Sequence, residues 1–177
     1  MFHIRRPTLH DLNECAQLDP SYTTQHVWQM QLRVEETDIE THFHLVHLPR
    51  PMTVTADAAN DDLLRSWQAG ECMLAARESH AVLGFLHMRP EPAVRSGLIL
   101  RHVVAPLHRR RGAGGALLQQ ALQWGSDHQL RSLRVRVSTK NHPAIQFYLA
   151  HGFAFGGFHE RFYSDQEIIL DLARSIR

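Results

Sequence analysis

The sequence has little of what secreted and membrane proteins require. Its 177 residues include only two cysteines, Cys15 and Cys72, which lie far apart. No apolar stretch resembling a secretory signal follows Met1, and no apolar run approaches the roughly 20 residues needed to cross a bilayer. We therefore predict a soluble, cytoplasmic protein with reduced thiols, no disulfide and no membrane partner.

Lysine is nearly absent as well, because Lys140 is the only one and arginine supplies every other formal cation. The 19 basic and 18 acidic residues give a formal net charge of +1, so the overall charge indicates neither nucleic acid nor a membrane surface as a partner. Fourteen histidines are scattered along the chain without cysteine or carboxylate partners at metal-ligand spacing. We therefore expect no nucleic-acid partner and no metal.

A chain of this length buries roughly 70% of its unfolded surface, and we predict a single domain over residues 1–177. Stretches of strand period and helix period follow one another, which predicts a mixed α/β fold. The predicted strands are Phe2–Arg5, Cys72–Ala76, Ala81–Met88, Leu98–Val104, Leu133–Ser138, Phe153–Phe158 and Glu167–Leu172. The predicted helices are Leu9–Ala16 with Thr8 as N-cap, Leu63–Trp67, Gly112–His128 and one beginning at Asn141. Polar turns are predicted at Asn60–Asp62, His80 and Tyr163–Asp165.

Prolines mark two strand ends in this interpretation. Pro90 and Pro92 are expected to end the strand Ala81–Met88, because proline cannot donate to a sheet ladder. The segment 21–50 has no clean period, although Phe43–Leu48 looks extended before Pro49-Arg50-Pro51 ends it. One interpretation of this segment is an insert that recognises the acceptor substrate. The other is an irregular second helix and strand that complete the core.

A strand end, an arginine-rich turn and a helix start follow one another in residues 103–118. Arg109–Arg111 precede the run Gly112–Gly115. Such a loop presents backbone N–H groups, the positive end of a helix and fixed cations at one point, as a phosphate or pyrophosphate requires. The nucleoside-triphosphate loop is excluded, because Ala116 stands where Lys-Ser or Lys-Thr is needed. The dinucleotide loop is disfavoured, because no acid follows the next strand.

The loop resembles that of the GCN5-related N-acetyltransferase (GNAT) superfamily. The acyl-CoA loop of that family has the form Arg or Gln, two residues, Gly, one residue, Gly or Ala, and Arg109, Gly112 and Gly114 occupy those positions. The family's later asparagine, alanine, Phe-Tyr and Gly-Phe positions are matched by Asn141, Ala144, Phe147, Tyr148, Gly152 and Phe153. The two motifs cover about residues 72–172, whereas the first seventy residues match only in the order strand, helix, helix.

The resemblance implies one GNAT-like domain with a mixed, mostly antiparallel sheet flanked by helices. Acetyl-CoA is the implied cosubstrate, bound by the loop from the fourth strand to the third helix within residues 98–128. Its pantetheine arm is expected beside His102 and Val104, with the thioester carbonyl near the amide of Val103 or Val104, which would stabilise the oxyanion. The implied cofactor-binding residues are Val103, Val104, Arg109, Arg110, Arg111, Gly112, Ala113, Gly114, Gly115, Asn141, Ala144 and Phe147.

Tyr148 stands where the family has its general acid, which returns a proton to the coenzyme A thiolate. A phenol with a pKa of about 10 is protonated at neutral pH, as an acid must be, and transfers its proton easily to a thiolate of similar basicity. Periodicity alone favours a tyrosine that only packs beneath its helix, whereas the resemblance favours the acid.

The base that accepts the proton of the acceptor is less well specified. Many relatives use a carboxylate on the fourth strand, where this chain has Arg101 and His102. His102 has an intrinsic pKa of about 6.5 and shares a strand face with Val104, which makes it a candidate base. The alternative is an ordinary strand histidine near the groove. Further carboxylate candidates that the sequence does not rank are Glu71, Glu78 and Glu160.

The expected reaction is direct attack of a primary amine on acetyl-CoA, in a ternary complex without an acetyl-enzyme at either cysteine. A small-molecule amine or antibiotic, such as an aminoglycoside-like or streptothricin-like compound, is the favoured acceptor. An aromatic and acidic surface for such a cation is expected from Tyr22, Trp28, Glu35, Glu36 and Asp38. The candidate acceptor-binding residues are Tyr22, Trp28 and Glu160.

Two alternatives stay open. The acceptor could instead be a protein N-terminus or a lysine. The domain could also be a catalytically silent acyl-CoA-binding or regulatory module, since the loop binds its ligand whether or not a base is present. We expect a monomer or a homodimer.

Overall fold

The structure is a computed structural model that describes residues 1–55, 62–79, 81–160 and 167–176. Within these residues, mostly antiparallel strands flanked by helices form the mixed α/β fold that the sequence predicts. The turns predicted at His80 and Tyr163–Asp165, and the first two residues of the turn Asn60–Asp62, lie outside the described residues.

The elements differ from the sequence prediction mainly at their ends and by one added hairpin. The strands are β1 (His3–Arg5), β2 (Tyr22–Val34), β3 (Ile39–Val54), β4 (Cys72–Glu78), β5 (Ala81–Glu91), β6 (Ser96–Val104), β7 (Ser132–Ser138), β8 (Ala154–His159) and β9 (Ile169–Ser175). The helices are α1 (Leu9–Gln17), α2 (Leu63–Gln68), α3 (Ala113–Asp127) and α4 (His142–Ala150). The predicted fourth strand is therefore β6, because the hairpin β2–β3 precedes it.

The described residues cluster into two compact units, and neither unit is a continuous piece of the chain. The first unit comprises Met1–Pro20, Ala56–Arg136 and Ala173–Arg177. The second comprises Ser21–Thr55 and Val137–Leu172.

The strands of the first unit lie in the order β1-β4-β5-β6-β7. All neighbours from β1 to β6 are antiparallel, whereas β6 and β7 are parallel. The long helix α3 connects these two parallel strands, which confirms the predicted strand, helix, strand crossover. This crossover places the start of α3 directly after the end of β6, where the glycine loop lies.

Helices cover both faces of the sheet in the first unit. On one face, Leu12 and Cys15 of α1 and Leu63 of α2 form a buried cluster with apolar side chains of β4 and β5, Phe85 among them. On the other face α3 packs against β4, β5 and β6, and the Leu117 side chain lies against Gly84. The apolar periodicity of α1 and α3 therefore corresponds to their buried faces.

The proline predictions are wrong at Pro90 and at Pro49 and Pro51, whereas β5 does end directly before Pro92. β5 runs through Pro90, which pairs with Gly97 of β6, and the pairing of β5 with β4 has already ended at Met88. β3 runs through Pro49 and Pro51, which lie in an irregularity of the hairpin register where residues 48–51 face Gln25 alone. In both places the missing N–H of proline falls where the ladder is incomplete, so the strand continues.

The hairpin β2–β3 forms a separate two-stranded sheet in the second unit, which also contains β8 and β9 as neighbours. The segment 21–50 therefore contains no helix, and the alternative of an irregular second helix is wrong. Trp28, Met30 and Leu32 alternate with glutamines as a strand requires. Val27 is an apolar residue out of phase with this alternation, so the sequence pattern did not indicate a strand.

A buried carboxylate anchors the first helix. The side chain of Thr8 accepts a hydrogen bond from the Asp11 amide, and the Asp11 carboxylate accepts one from the Thr8 amide at 2.7 Å, which is the predicted capping box. Asp11 is 2% exposed and forms ion pairs with Arg77 and Arg5. Burial by itself raises the pKa of Asp11, but the hydrogen bonds of Thr8 and the charges of both arginines lower it overall.

We expect Asp11→Asn to lower the free energy of unfolding by about 3 kcal/mol at neutral pH, because it leaves the buried Arg77 without its closest carboxylate. Urea denaturation measures this difference. The native pKa of Asp11 is lowered, so its stabilisation is complete above the unfolded pKa of about 3.9 and is lost as the pH falls through the native value. The gap between the variant and the wild type should therefore shrink in acid.

Asp127→Asn is the control, since Asp127 lies exposed at the end of α3. It should change stability by less than about 0.5 kcal/mol. An Asp11→Asn protein as stable as this control at neutral pH would contradict the anchoring role.

Candidate active site

The first feature of the site is a free edge on β6. Parallel pairing with β7 ends at Ile99, which lies opposite Val135. On its other side the register with β5 shifts between Ile99 and Arg101, which makes Leu100 an extra residue and therefore a β-bulge. The bulge coincides with the end of the β7 pairing. Among the described residues, the last four residues of β6 thus have an edge that β7 does not cover.

The turn after this edge is tightly bent. A 3-10 turn at Pro106–His108 leaves β6, and the backbone φ of Arg110 is +62°. Gly112 follows with φ +86°, in the left-handed region that favours glycine, and a Cβ built on it meets no protein atom within 4 Å. The chain thus reverses direction and leaves open space in front of Gly112.

Helix α3 begins in this open space without a side-chain cap. Its N-cap is Gly112, which has no side chain to accept a hydrogen bond from the first turn. The backbone N–H groups of Ala113, Gly114 and Gly115 therefore form the positive end of a helix of 15 residues. An anion is the natural partner for such a helix end.

Two side chains hold the loop in place. The Arg109 guanidinium donates to the carbonyl of Val104 at 2.8 Å and to the carbonyl of Asp19 at 3.2 Å. His102 Nε2 lies 3.2 Å from the carbonyl of Gly114, and because a carbonyl only accepts, this nitrogen carries the proton. Arg109 and His102 therefore connect the strand end, the turn and the helix start.

The loop fits the pyrophosphate of acetyl-CoA. The uncapped helix N-terminus and the positive-φ residues Arg110 and Gly112 turn backbone N–H donors toward one place. The exposed side chains of Arg110 and Arg111 add positive charge there. The glycine leaves room for close approach of an oxyanion. The predicted cofactor-binding residues Val103 to Gly115 are thus brought together in the first unit.

The second motif lies on α4, in the second unit. Asn141 is the N-cap, and its side-chain oxygen accepts a hydrogen bond from the amide of Ala144 at 3.1 Å. Phe147 is half-buried, with its ring centroid 4.2 Å from that of His151. The asparagine and alanine of the motif therefore have a visible structural role at the helix start.

Tyr148 is buried on α4. Its side chain is 4% exposed, and its ring contacts Phe153 with centroids 5.0 Å apart. Burial raises the pKa of Tyr148 above its usual value, so the phenol stays protonated throughout the neutral range. This protonation state is the one that a general acid requires.

A carboxylate that the sequence pattern did not single out lies beside Tyr22. Glu167 accepts a hydrogen bond from the Ser138 hydroxyl at 2.9 Å and forms an ion pair with Lys140 at 3.1 Å. Burial and the charge of Glu167 raise the pKa of Tyr22 to about 12. Glu167 is distant from Tyr22 in sequence, so no local spacing indicated this group.

The predicted aromatic and acidic surface is not assembled. Glu35 and its acidic neighbours, Glu36 and Asp38, lie at the exposed turn of the hairpin, whereas Tyr22 begins β2 about 40 Å away along the strand. Trp28 donates from Nε1 to His142 Nδ1 at 3.2 Å, and Glu160 is exposed after β8. The strand geometry of segment 21–50 separates these residues, which a compact insert would have gathered.

The two cysteines are buried free thiols. Burial raises the pKa of each, Cys15 and Cys72, to about 12. Neither thiol is ionised at neutral pH, so neither is an effective nucleophile.

The described part of the chain contains no helix that is long and apolar enough to cross a membrane. In the same residues, no group of three or more histidine, cysteine and acidic side chains is arranged to hold a metal ion.

Comparison with known proteins agrees with this geometry. The family model of the acetyltransferase (GNAT) family matches residues 38–153, which is more than half of the chain. A nourseothricin acetyltransferase is 23% identical, with 99% of both chains covered and a TM-score of 0.85. No match is found among curated protein sequences.

Two other solved structures have the same fold. A protein designated a streptothricin acetyltransferase, from Bacillus anthracis and in complex with acetyl coenzyme A, is 18% identical over 99% of both chains, with a TM-score of 0.82. The ribosomal-protein-S18-alanine N-acetyltransferase of Escherichia coli is 14% identical, covering 99% of this chain and 94% of that chain, with a TM-score of 0.66.

The family match and the free β6 edge with its uncapped helix lead to the same conclusion. The chain belongs to the acetyltransferase (GNAT) family and is an acetyl-CoA-dependent N-acetyltransferase.

Proposed function

We propose that the protein transfers the acetyl group of acetyl-CoA to a primary amine of a small cationic molecule, and that a streptothricin-class antibiotic is the acceptor. The observation that carries this proposal is the similarity to the nourseothricin and streptothricin acetyltransferases over 99% of both chains. That similarity extends beyond the cofactor loop to the first seventy residues, which include the whole hairpin.

Acetyl-CoA supplies an acyl group that is activated as a thioester. We assign its pyrophosphate to the backbone N–H groups at the start of α3 and to the charges of Arg110 and Arg111. The free edge of β6 would hold the pantetheine arm as an added strand, and the amide of Val103 or Val104 would face the thioester oxygen. Arg109 and His102 act on this arrangement by holding the loop, through their hydrogen bonds to backbone carbonyls.

The amine attacks the thioester carbonyl directly, because neither buried cysteine offers a thiolate that could carry the acetyl group first. Tyr148 then supplies the proton that the departing sulfur requires. Its burial keeps that proton in place at neutral pH, which supports the role that the family resemblance assigns to it.

The acceptor-side groups that we propose are Tyr22, Trp28 and, in addition to the sequence prediction, Glu167. A partly buried carboxylate beside a phenol is suited to a primary ammonium, and Glu167 already holds the ammonium of Lys140. The other candidate acceptor is a protein N-terminus. It is supported by the similarity to the ribosomal-protein alanine acetyltransferase, whose TM-score is lower at 0.66.

An amine screen that follows free thiol tests the acceptor. We expect coenzyme A release with a streptothricin-class antibiotic and much slower release with polyamines, amino acids and peptide N-termini. Preference for peptides would overturn the small-molecule assignment. Calorimetric binding of acetyl-CoA without thiol release from any amine would instead support a silent binding domain.

Gly112→Glu tests the pyrophosphate site. The new side chain enters the space in front of α3 with bulk and like charge, so we expect the calorimetric Kd of acetyl-CoA to rise at least tenfold, or about 1.4 kcal/mol. Gly70→Glu is the matched control, because Gly70 also has positive φ, at +74°, and a Cβ placed on it also has no atom within 4 Å. Equal loss of binding in both variants would contradict the assignment.

Tyr148→Phe tests the general acid. We expect turnover to fall by about 100-fold at neutral pH, with the Kd of acetyl-CoA changed by less than twofold, since only the phenolic proton is removed. Tyr22→Phe serves for comparison and should raise KM for the amine rather than lower turnover. Unchanged turnover of Tyr148→Phe across the pH range would remove Tyr148 from the mechanism.

A further inference from the structure

A buried carboxylate and imidazole lie at one end of the first unit's sheet. Glu71 precedes β4, and its carboxylate is 2.6 Å from Nε2 of His87 on β5. Arg89 donates to the other oxygen of the same carboxylate at 3.2 Å. The side chain of His87 is fully buried, whereas that of Glu71 is 15% exposed.

The pair has a defined proton arrangement. Burial by itself raises the pKa of Glu71, but the hydrogen bonds from His87 and Arg89 lower it overall, so the carboxylate is ionised at neutral pH. An ionised carboxylate only accepts, and the proton between the two groups therefore belongs to Nε2 of His87. The other ring nitrogen, Nδ1, is buried and has no hydrogen-bond partner among the described residues.

A buried nitrogen without a partner is unusual and costs free energy unless a bound group satisfies it. The apolar cluster beneath the sheet does not need a histidine at this position. A phenylalanine or leucine would fill the space without leaving a polar atom unpaired. The Glu71–His87 pair thus indicates a polar group that meets Nδ1 in the working protein.

The register of the sheet places His87 on the strand next to β6, across β6 from its free edge. His87 pairs with Arg101, and Phe85 pairs with Val103, so His87 and Val103 are diagonal neighbours on one face. The rings of Phe85 and His87 lie on that face with centroids 6.4 Å apart. Diagonal side chains of an antiparallel pair begin roughly 7–8 Å apart, which is within reach of a ring such as that of His87. A water mediates polar contacts that are longer than a direct hydrogen bond.

We propose that His87 and Glu71 form the proton-accepting pair for the acceptor amine, with Nδ1 of His87 receiving the proton through one ordered water. This inference rests on the proposed function, because it uses the thioester position beside Val103. The charged groups around His87 are Glu71 and Arg89, which contact each other, and Arg101 of β6, whose guanidinium lies over the ring of Phe85.

Two protons leave the acceptor nitrogen. The first is taken up within this group, and the second, lost from the nitrogen once the carbon–nitrogen bond has formed, replaces the proton that Tyr148 gives to the departing sulfur. The ammonium of the acceptor loses one proton to the water, and the water passes one proton to Nδ1. The lone pair left on the amine nitrogen then forms the bond to the acetyl carbon. Nε2 keeps its own proton and its hydrogen bond to Glu71, so the imidazolium that results lies beside a negative charge. The proton leaves by the same water after the product has gone.

The arrangement favours His87 over His102 for this role. His102 donates from Nε2 to the carbonyl of Gly114, which cannot balance a positive charge on the ring as a carboxylate does. His87 has that carboxylate. The sequence pattern missed His87 because a single histidine in an apolar strand has no local signature.

The test is the pH profile of acetyl transfer by purified variants with the best amine of the thiol-release screen. We expect His87→Gln to lower kcat/KM by about 100-fold and to abolish the acid limb of its pH profile, because glutamine can donate to Glu71 but cannot accept a proton. The Kd of acetyl-CoA should change by less than twofold. His10→Gln is the control, since His10 is exposed on α1 and should behave as wild type.

A second variant keeps the test decisive if His87→Gln does not fold. Glu71→Gln removes the negative charge that would stabilise the imidazolium, so we expect the acid limb to move to lower pH and kcat/KM to fall by about tenfold. A profile with its acid limb unmoved in the variants that fold would overturn the inference, as would an equal loss of rate at every pH. Absence of transfer by the wild-type protein would overturn the proposed function itself.

Discussion

Backbone groups that the sheet and helix ladders leave over organise the site that we assign to acetyl-CoA. The last residues of β6 have an edge that β7 does not pair, and α3 begins at a glycine that cannot cap it. N–H and C=O groups in such places must be satisfied by water or by a ligand, because leaving them unpaired in a closed site costs free energy. In the binding mode that we propose, an extended arm that ends in a pyrophosphate satisfies both places together. The bulge at Leu100 and the turn at Gly112 create them.

The arginines of the loop divide into two roles that composition could not distinguish. Arg109 acts within the protein itself, because its guanidinium bonds two backbone carbonyls and so fixes where the loop lies. We assign its two exposed neighbours, Arg110 and Arg111, to the anion. The planar, forked donor set of arginine explains how one residue bridges a strand end and a distant connection.

Histidines show why residue type alone is a poor guide to chemistry. His102 lies on β6 close to the loop, yet its Nε2 donates a hydrogen bond to the carbonyl of Gly114. His87 lies in an apolar strand, yet it is paired with a carboxylate across from the free edge. In the mechanism that we propose, the carboxylate of Glu71 is what distinguishes His87 from His102. That information lies in the sheet register rather than in the neighbours along the chain.

The sequence by itself determined the cofactor class and most of the helices. A phosphate loop is local, since its glycines, arginines and helix start are consecutive, and the capping residues Thr8 and Asn141 act within one turn. Only the tertiary structure decided what depends on long-range pairing. It made residues 21–50 a hairpin, kept Pro90 within a strand, dispersed the expected acidic surface, and joined Tyr22 to Glu167 and His87 to Glu71. The physical reason is that strand pairing and buried charge pairs join residues far apart in the chain, which periodicity and spacing do not record.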